Sequence, residues 1–328
     1  MQAVWLESAV KSADEVRIQT IAKPELKPGY ALVKVAVAAI NPVDMLIFGW
    51  FTRPGWSFPT VPGINFSGVV EAVSEDVQNV KPGDAVFALS WNRGHDDAVP
   101  MIGGAFAEYI AIAADKLSKK PEALTFEQAA SICSVGTTAA ECVIDIGQVT
   151  KGTKLLVLGG SSSVGLVAIQ LGKLLGAHVV TTASSRALSF VQQFNSADKI
   201  INYNEKRWDE DAEVKDFDVI LDCSPEKDTL TKAINGGVVR AGGKYITITD
   251  ISVGFNPTAH PPLSWAAFYG SHQDTKHQDY IADLVAKGKI QVPIEARFPF
   301  TEAGVIEGLQ KVLSGKSLGK NLLIIDSH

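Results

Sequence analysis

Apolar residues follow two different rhythms along this chain. From residue 1 to about 124 they form short runs that alternate with polar positions. Tyr30-Ala-Leu-Val-Lys-Val-Ala-Val alternates in part and then turns wholly apolar; Phe66-Ser-Gly-Val-Val-Glu-Ala-Val and Asp84-Ala-Val-Phe-Ala-Leu read as further strands. Lys-Pro-Gly occurs at 27–29 and again at 81–83, each time just before a strand. Pro sets φ for such a turn and Gly permits φ > 0. Strands at this spacing predict a Greek-key or barrel-like β domain. Residues 91–104 form a long polar and glycine-rich loop, read as a lid or an edge loop.

From Pro121 the period becomes helical. Thr125-Phe-Glu-Gln opens one segment, with Ala129, Ala130, Ile132 and Cys133 following, and Val135 opens a second that ends near Gly147. From 154 to about 270 strand and helix alternate. The pattern predicts strands at 154–158, 178–182, 199–202, 217–222, 244–249 and 265–269, with helices at 164–175, 186–195 and 227–236. Strands separated by helices of this length predict a parallel sheet. A helix around Tyr280, Ile281, Leu284 and Val285 follows. The tail, 291–328, has strand-like runs around an amphipathic helix at 302–314 and is expected to fold back on the first domain.

The most informative stretch is Lys154 to Ala177, KLLVLGGSSSVGLVAIQLGKLLGA. An apolar strand, a Gly/Ser loop (159–165) and a helix form the phosphate-cradling half of a βαβ unit. Backbone N–H groups at the helix start and the helix dipole both favour an anion there. An NAD-preferring site wants an acid at the end of the second strand, for the ribose 2′-hydroxyl. This chain has Thr182-Ala-Ser-Ser-Arg186 instead, and from Leu166 to Tyr203 its only acid is Asp198. Hydroxyls and a guanidinium suit a 2′-phosphate, which favours NADP(H). The competing reading is that Ser184 and Ser185 only cap the next helix and Arg186 is solvated.

Bulk properties narrow the partners. The chain has 328 residues, is 46% hydrophobic and 20% charged, and carries a net charge of −6. Two domains are expected at this length. No basic block points to nucleic acid or to an anionic membrane surface. No apolar run reaches ~18 residues, so no membrane-spanning helix is expected. The N-terminal MQAVWLESAV lacks the features of a secretory signal. Cys133, Cys142 and Cys223 form no C-x-x-C pair, which fits a reduced, cytoplasmic protein. The six histidines form no H-E-x-x-H pair, so no metal site is expected. No P-loop motif is present. A Tyr-x-x-x-Lys pair downstream of the glycine loop, as a short-chain dehydrogenase needs, is also missing.

Several of these pieces, in this order, resemble the zinc-independent medium-chain dehydrogenase/reductases of the quinone oxidoreductase group, which includes ζ-crystallin-like proteins and related enoyl reductases. The matching stretches are Met1-Gln-Ala-Val, Ala39-Ile-Asn-Pro-Val-Asp44, Phe58 to Val70, Lys81 to Phe87, Gly104 to Tyr109, Gly136-Thr-Thr-Ala139, the glycine loop, Ile201-Asn-Tyr203, Gly242-Gly-Lys and Ser314 to Lys320. The resemblance implies an α/β architecture. A GroES-like β-rich catalytic domain would span 1–124, completed by 291–328. A Rossmann domain with a doubly wound parallel sheet would span 125–290, with NADPH in the cleft between the two.

Carried over position by position, the resemblance implies Asn41 and Thr138 beside the nicotinamide. It implies Gly160, Ser161, Ser162, Ser163, Val164 and Gly165 at the pyrophosphate, and Ser184, Arg186 and Tyr203 at the 2′-phosphate. Lys316 and Lys320 would approach the cofactor, solvated lysines being the alternative. Zinc-dependent cousins carry Cys and His-Glu where this chain has Asn41 and Ile64-Asn65, so no catalytic metal is expected. The loop has Ser162 where a glycine is usual; its Cβ crowds the pyrophosphate or its hydroxyl donates to it. Tyrosines that follow Asn-Pro-x-Asp in some relatives are replaced by Met45-Leu-Ile-Phe-Gly-Trp-Phe51. Phe48, Trp50 and Phe51 are read either as walls of a flat substrate pocket or as core.

The function expected is hydride transfer from NADPH to a quinone or an α,β-unsaturated carbonyl, in a cytoplasmic homodimer joined near Trp265 to Tyr269. The rival from another class is a non-catalytic NADPH-binding redox sensor or structural protein. An S-adenosylmethionine methyltransferase is a third reading, disfavoured by Ser184-Ser185-Arg186 where it would want an acid.

Overall fold

The computed structural model describes residues 1–49, 58–90, 104–270 and 275–326. Trp50, Phe51 and most of the loop read at 91–104 lie outside them. The chain divides into two compact units: Met1–Thr137 with Ser271–Gly288 and Val292–His328, and Thr138–Gly270 with Lys289–Gln291. The helix at 275–286 and most of the helix at 126–140 therefore belong to the first unit. The resemblance places both in the Rossmann part, and periodicity does not correct it, because it shows a buried stripe but not which sheet buries it.

The first unit holds a short pair, β1 (Gln2–Val4) and β2 (Ile18–Thr20), and a seven-stranded sheet. The sheet is built from β3 (Tyr30–Ile40), β4 (Asn65–Val73), β5 (Ala85–Leu89), β6 (Tyr109–Ala113) and β7 (Ser118–Lys119), with two further strands from the tail. A one-turn helix, α1 (Asp44–Ile47), leaves the end of β3. The core of this unit is a cluster around Val33, Val35, Phe48, Phe66, Phe106, Ile110 and Leu323.

The long helix α2 (Phe126–Ala140) starts at a reciprocal capping box. Gln128 N–H donates to Thr125 Oγ1 at 3.1 Å and Thr125 N–H to Gln128 Oε1 at 2.9 Å. This satisfies two donors that a helix start would otherwise leave open. The helix runs through Gly136 without a break and continues as a π-helical turn, Glu141–Ile146. The sequence suggests two helical segments here; the structure joins them. Over Phe126–Ile146 the helix is long and apolar enough to cross a bilayer, but 83% of its most apolar window is buried inside the protein. That is the signature of a core helix.

The second unit is a six-stranded, all-parallel sheet. Its strands are β8 (Lys154–Leu158), β9 (His178–Ala183), β10 (Lys199–Asn202), β11 (Phe217–Asp222), β12 (Val239–Thr247) and β13 (Trp265–Phe268). The intervening helices are α3 (Ser163–Leu174), α4 (Leu188–Gln192) and α5 (Thr229–Asn235). The spatial order β10-β9-β8-β11-β12-β13 is the doubly wound Rossmann order, third-second-first-fourth-fifth-sixth. Leu155 to Leu158 are at most 1% exposed. That explains why the strand reads as a continuous apolar run rather than an alternation.

The chain then returns to the first unit through α6 (Thr275–Ala286), β14 (Ile294–Pro299), α7 (Glu302–Leu313) and β15 (Lys320–Ile324). β15 lies antiparallel to β3, with Asn321 opposite Ile40 and Leu322 opposite Ala39. This register puts Lys320 beside the end of β3.

Candidate functional site

In an open parallel sheet ligands bind beyond the strand C-termini where the winding reverses. Here that point lies between β8 and β11. The loop 159–165 leaves β8 at this place. Gly159 has φ +82°, and a Cβ on Gly165 would sit 2.3 Å from the Gly159 carbonyl oxygen, so both positions require glycine. Gly159 N–H donates to Thr182 Oγ1 at 2.9 Å and Gly160 N–H to the Thr182 carbonyl at 3.0 Å, tying the loop to β9. Ser162 caps α3, its Oγ accepting the Gly165 N–H at 3.0 Å. Among the described residues, the N–H groups of Ser161, Ser163 and Val164 have no acceptor. Three open donors at a helix N-terminus fit the diphosphate of a dinucleotide.

The end of β9 is equally telling. Ser184 occupies the cap position of the following turn, yet its side chain makes no capping bond. Ser185 is turned instead to the side chains of Asn202 and Asn204. Arg186 is exposed and has no ion-pair partner among the described residues. Tyr203 joins β9 through its N–H to the Ala183 carbonyl and is itself 51% exposed. A free hydroxyl, a free guanidinium and an exposed aromatic ring at adjacent strand ends fit a 2′-phosphorylated adenosine.

Sequence reasoning missed Asp222, at the end of β11. Its buried carboxylate accepts from Ser224 N–H (2.9 Å), Ser224 Oγ (2.7 Å), Thr229 Oγ1 (2.7 Å) and Tyr245 OH (2.8 Å). Burial raises its pKa against these stabilising donors. The network braces β11, α5 and β12 behind the loop. No local motif announces it, because its members are 2, 7 and 23 residues away.

The first unit carries a second polar cluster. Asn41 is 4% exposed, and its side chain is fully engaged within the protein. Its Oδ1 accepts from Lys320 Nζ at 2.5 Å, Ser134 Oγ at 3.2 Å and Asn65 Nδ2 at 3.4 Å. Asn41 Nδ2 donates to the Ala39 carbonyl at 3.0 Å and to Asp44 Oδ2 at 3.2 Å, while the Asn41 N–H donates to Asp44 Oδ2 at 2.7 Å. An ammonium group only donates, so the amide atom facing it must be oxygen. The Asn41 amide thus bridges a buried cation and a buried carboxyl. Desolvation pushes Asp44 up to about 7 against the pull of Asn41 and Lys320. It pulls Lys320 down to about 8 against the attraction of Asp44 and Cys133.

These positions revise several expectations. Lys320 is 4% exposed and holds the Asn41 cluster, which excludes the solvated-lysine alternative for this position. Lys316 is exposed. Phe48 is fully buried in the first core and packs 6.5 Å from Phe106, so core packing, not a pocket wall, is its place. Thr138 is 5% exposed and its hydroxyl makes no hydrogen bond among the described residues, in contrast to Asn41. Asp44, Asn65 and Ser134 are not singled out as site residues by the sequence. Two of them lie inside the motif stretches quoted above, but only the fold shows that they meet.

Two family descriptions match the chain: Alcohol dehydrogenase GroES-like domain over residues 27–122, and Zinc-binding dehydrogenase over residues 195–323. The zinc that the second name implies does not suit this cluster. Asn41, Asn65 and Ser134 are neutral, Ile64 is apolar, and a metal cation there would face a buried ammonium. Among the described residues, no group of three or more His, Cys, Asp or Glu could hold a metal ion. Mitochondrial NAD(P)H oxidoreductase RTN4IP1 of Mus musculus is 31% identical over 338 residues, covering 90% of this chain and 82% of its own. The chloroplastic NADPH-dependent alkenal/one oxidoreductase of Arabidopsis thaliana is 30% identical over 320 residues, covering 96% and 78%. The solved quinone oxidoreductase of Coxiella burnetii superposes with a TM-score of 0.87 at 25% identity, over 99% of both chains. With sequence likeness of this extent over both units and a shared fold, the chain belongs to the medium-chain dehydrogenase/reductase family.

Proposed function

We propose that this protein is an NADPH-dependent reductase of quinones and α,β-unsaturated carbonyls that works without zinc. The observation that carries the reading is the pairing of the open donors at 161, 163 and 164 with the acid-free end of β9, where the side chains of Ser184, Arg186 and Tyr203 stand unengaged. Two relatives, an alkenal/one oxidoreductase and a quinone oxidoreductase, agree in reaction type.

The loop 159–165 holds the diphosphate and the Ser184–Arg186 turn holds the 2′-phosphate. Bound NADPH supplies the hydride. Thr138 offers a hydroxyl with no hydrogen-bond partner among the described residues, whereas the Asn41 side chain is fully hydrogen-bonded within its own unit. With neutral amides and an ammonium in place of zinc ligands, no Lewis acid polarises a substrate carbonyl. Substrates must therefore bring their own electron demand, and quinones and enones do so because reduction yields a delocalised anion that water protonates. The test is NADPH oxidation with 9,10-phenanthrenequinone, 1,4-benzoquinone and a simple enone. Turnover with at least one is expected. Tight NADPH binding with no turnover on any of the three would sink the reductase reading and favour a non-catalytic NADPH-binding protein.

The protein acts as a cytoplasmic homodimer in this reading. Among the described residues β13 pairs only with β12, and the nearby Ile251 and Phe255 are 64% and 52% exposed. An open strand edge beside apolar surface favours pairing with a second copy. Sedimentation of the wild type and of Ala267→Pro tests this, a monomeric wild type refuting it. Three free, buried cysteines agree with a reducing compartment; cell fractionation checks that.

A further inference from the structure

Within the first unit α6 packs against β7, and a cavity of about 390 Å³ lies beside them, in the range that small ligands fill. Val80, Leu117 and Ala282 give it an apolar lining, while Ser118, Asp279 and Asp283 bring oxygen atoms to it. Ser118 is 2% exposed, and its hydroxyl has no hydrogen-bond partner among the described residues. The other buried serines described in this unit all donate: Ser67 to the Phe126 carbonyl at 2.6 Å, Ser131 to the Glu127 carbonyl at 2.7 Å and Ser134 to Asn41 Oδ1 at 3.2 Å. A buried hydroxyl without a partner carries a desolvation cost that a bound ligand would remove. Asp279 and Asp283 stand one turn apart on α6, so their carboxylates share a face and repel each other. Asp283 has an exposed contact to Lys287 at 2.7 Å, whereas Asp279 has no ion-pair partner among the described residues. Lys119 also lines the cavity, but Asp84 holds its ammonium at 3.0 Å, which leaves Asp279 without a countercharge.

We infer that this cavity binds a primary alkylammonium ion, whose head donates to Ser118 Oγ and the carboxylates of Asp279 and Asp283 while its stem lies along Val80, Leu117 and Ala282. An ammonium group has three N–H donors and no acceptor, which matches a hydroxyl and two carboxylates. An aliphatic stem suits the apolar lining, as the stems of lysine side chains suit apolar surface. A hard divalent cation wants a fuller set of oxygen ligands than these, and among the described residues no group of three or more His, Cys, Asp or Glu could hold a metal ion. All of the lining residues belong to the first unit, so the inference does not rest on the nucleotide reading of the second.

Calorimetric titration of the full chain at neutral pH is the test. The probes are n-butylamine, its uncharged counterpart n-butanol, and Nα-acetyl-lysine methylamide, which carries the same head group on a peptide unit. Saturable binding of n-butylamine in the millimolar range is expected, with none of n-butanol. Tighter binding of the lysine derivative than of n-butylamine assigns the site to a protein side chain, and weaker binding assigns it to a free amine. Asp279→Asn and Ser118→Ala are each expected to weaken n-butylamine about tenfold, the scale of a hydrogen bond to a charged group. Glu307→Gln, which changes an exposed acid on α7, is expected to leave it unchanged. Without ligand, Ser118→Ala is expected to melt at or above the wild-type temperature, because it removes a hydroxyl that has no partner in the free protein. Failure of wild type to bind n-butylamine, equal binding of n-butanol, or an equal loss in Asp279→Asn and Glu307→Gln overturns the inference. So does a clearly lower melting temperature for Ser118→Ala, which would show that its hydroxyl is held by the protein itself.

Discussion

Lys320→Met probes the buried cluster most directly. The substitution keeps the approximate length of the side chain and removes the ammonium that touches Asn41 Oδ1. Treating Lys320 and Asp44, which are linked through Asn41, as a broken buried ion pair predicts a loss of about 3–5 kcal/mol. The environment of this pair predicts something else. The fall of Lys320 from 10.5 to about 8 corresponds to roughly 3 kcal/mol disfavouring the charged form, at about 1.4 kcal/mol per tenfold change. A methionine at this position removes that cost. The carboxyl left behind can escape its own cost by taking a proton, since Asp44 already titrates at about 7. Asn41 Oδ1 keeps Ser134 and Asn65 as donors.

The sign of each contribution follows from the direction of its shift. Asp44 is raised in the fold, so its contribution is fully present below its ordinary value of 3.8 and is lost as pH rises through about 7. Lys320 is lowered, so its contribution is present above 10.5 and is lost as pH falls through about 8. Removing the cation raises Asp44 further, by about 1–3 pH units. The variant is therefore expected to match or exceed wild type in stability at pH 6 and to lose ground relative to wild type as the pH rises to 9. Urea unfolding of both proteins at pH 6, 7, 8 and 9, with the slope checked for constancy, measures the difference. A penalty that is the same at every pH, or larger at pH 6 than at pH 9, refutes the reasoning. It would mean that Asp44 stays ionised and paired throughout.

Other consequences are simpler. Arg186→Ala is expected to weaken NADPH about tenfold while leaving NADH unchanged, because only the former has a 2′-phosphate to pair; equal losses for both in a titration would remove Arg186 from that role. Gly165→Ala places a Cβ 2.3 Å from the Gly159 carbonyl and should abolish NADPH binding, with a lowered melting temperature; unchanged binding would show that the loop relaxes freely. Asp222→Ala leaves the hydroxyls of Thr229 and Tyr245 and the Ser224 N–H buried without their common acceptor. A loss on the order of 3 kcal/mol in urea unfolding is expected, and a loss below about 1 kcal/mol would mean that these donors find other partners.

Much of the fold is readable in advance because its signals are local. Leu155 to Leu158 form an unbroken apolar run since the strand is covered on both faces. Gly159 to Gly165 open a helix because steric demands within seven residues leave few alternatives. The absence of an acid after β9 and the presence of Arg186 are also local facts. So are the boundaries of β8, β10 and β11, predicted at 154–158, 199–202 and 217–222 and found there. The join between α2 and its π-helical turn is not readable, since Gly136 between two apolar stretches looks the same whether a helix breaks or continues.

The amino-acid order alone therefore established a parallel α/β unit with a dinucleotide turn. Each of those features is set by neighbours in the chain, through backbone sterics and side-chain period. The environment of Asn41 was decided elsewhere. Its partners Asn65, Ser134 and Lys320 reach it across 24, 93 and 279 residues. Lys320 arrives only because β15 pairs antiparallel with β3 in one particular register. A lysine followed by a run of apolar residues carries no trace of this in sequence. Whether such a side chain is solvated or buried on an amide depends on strand pairing, and strand pairing is settled by the packing of the whole unit.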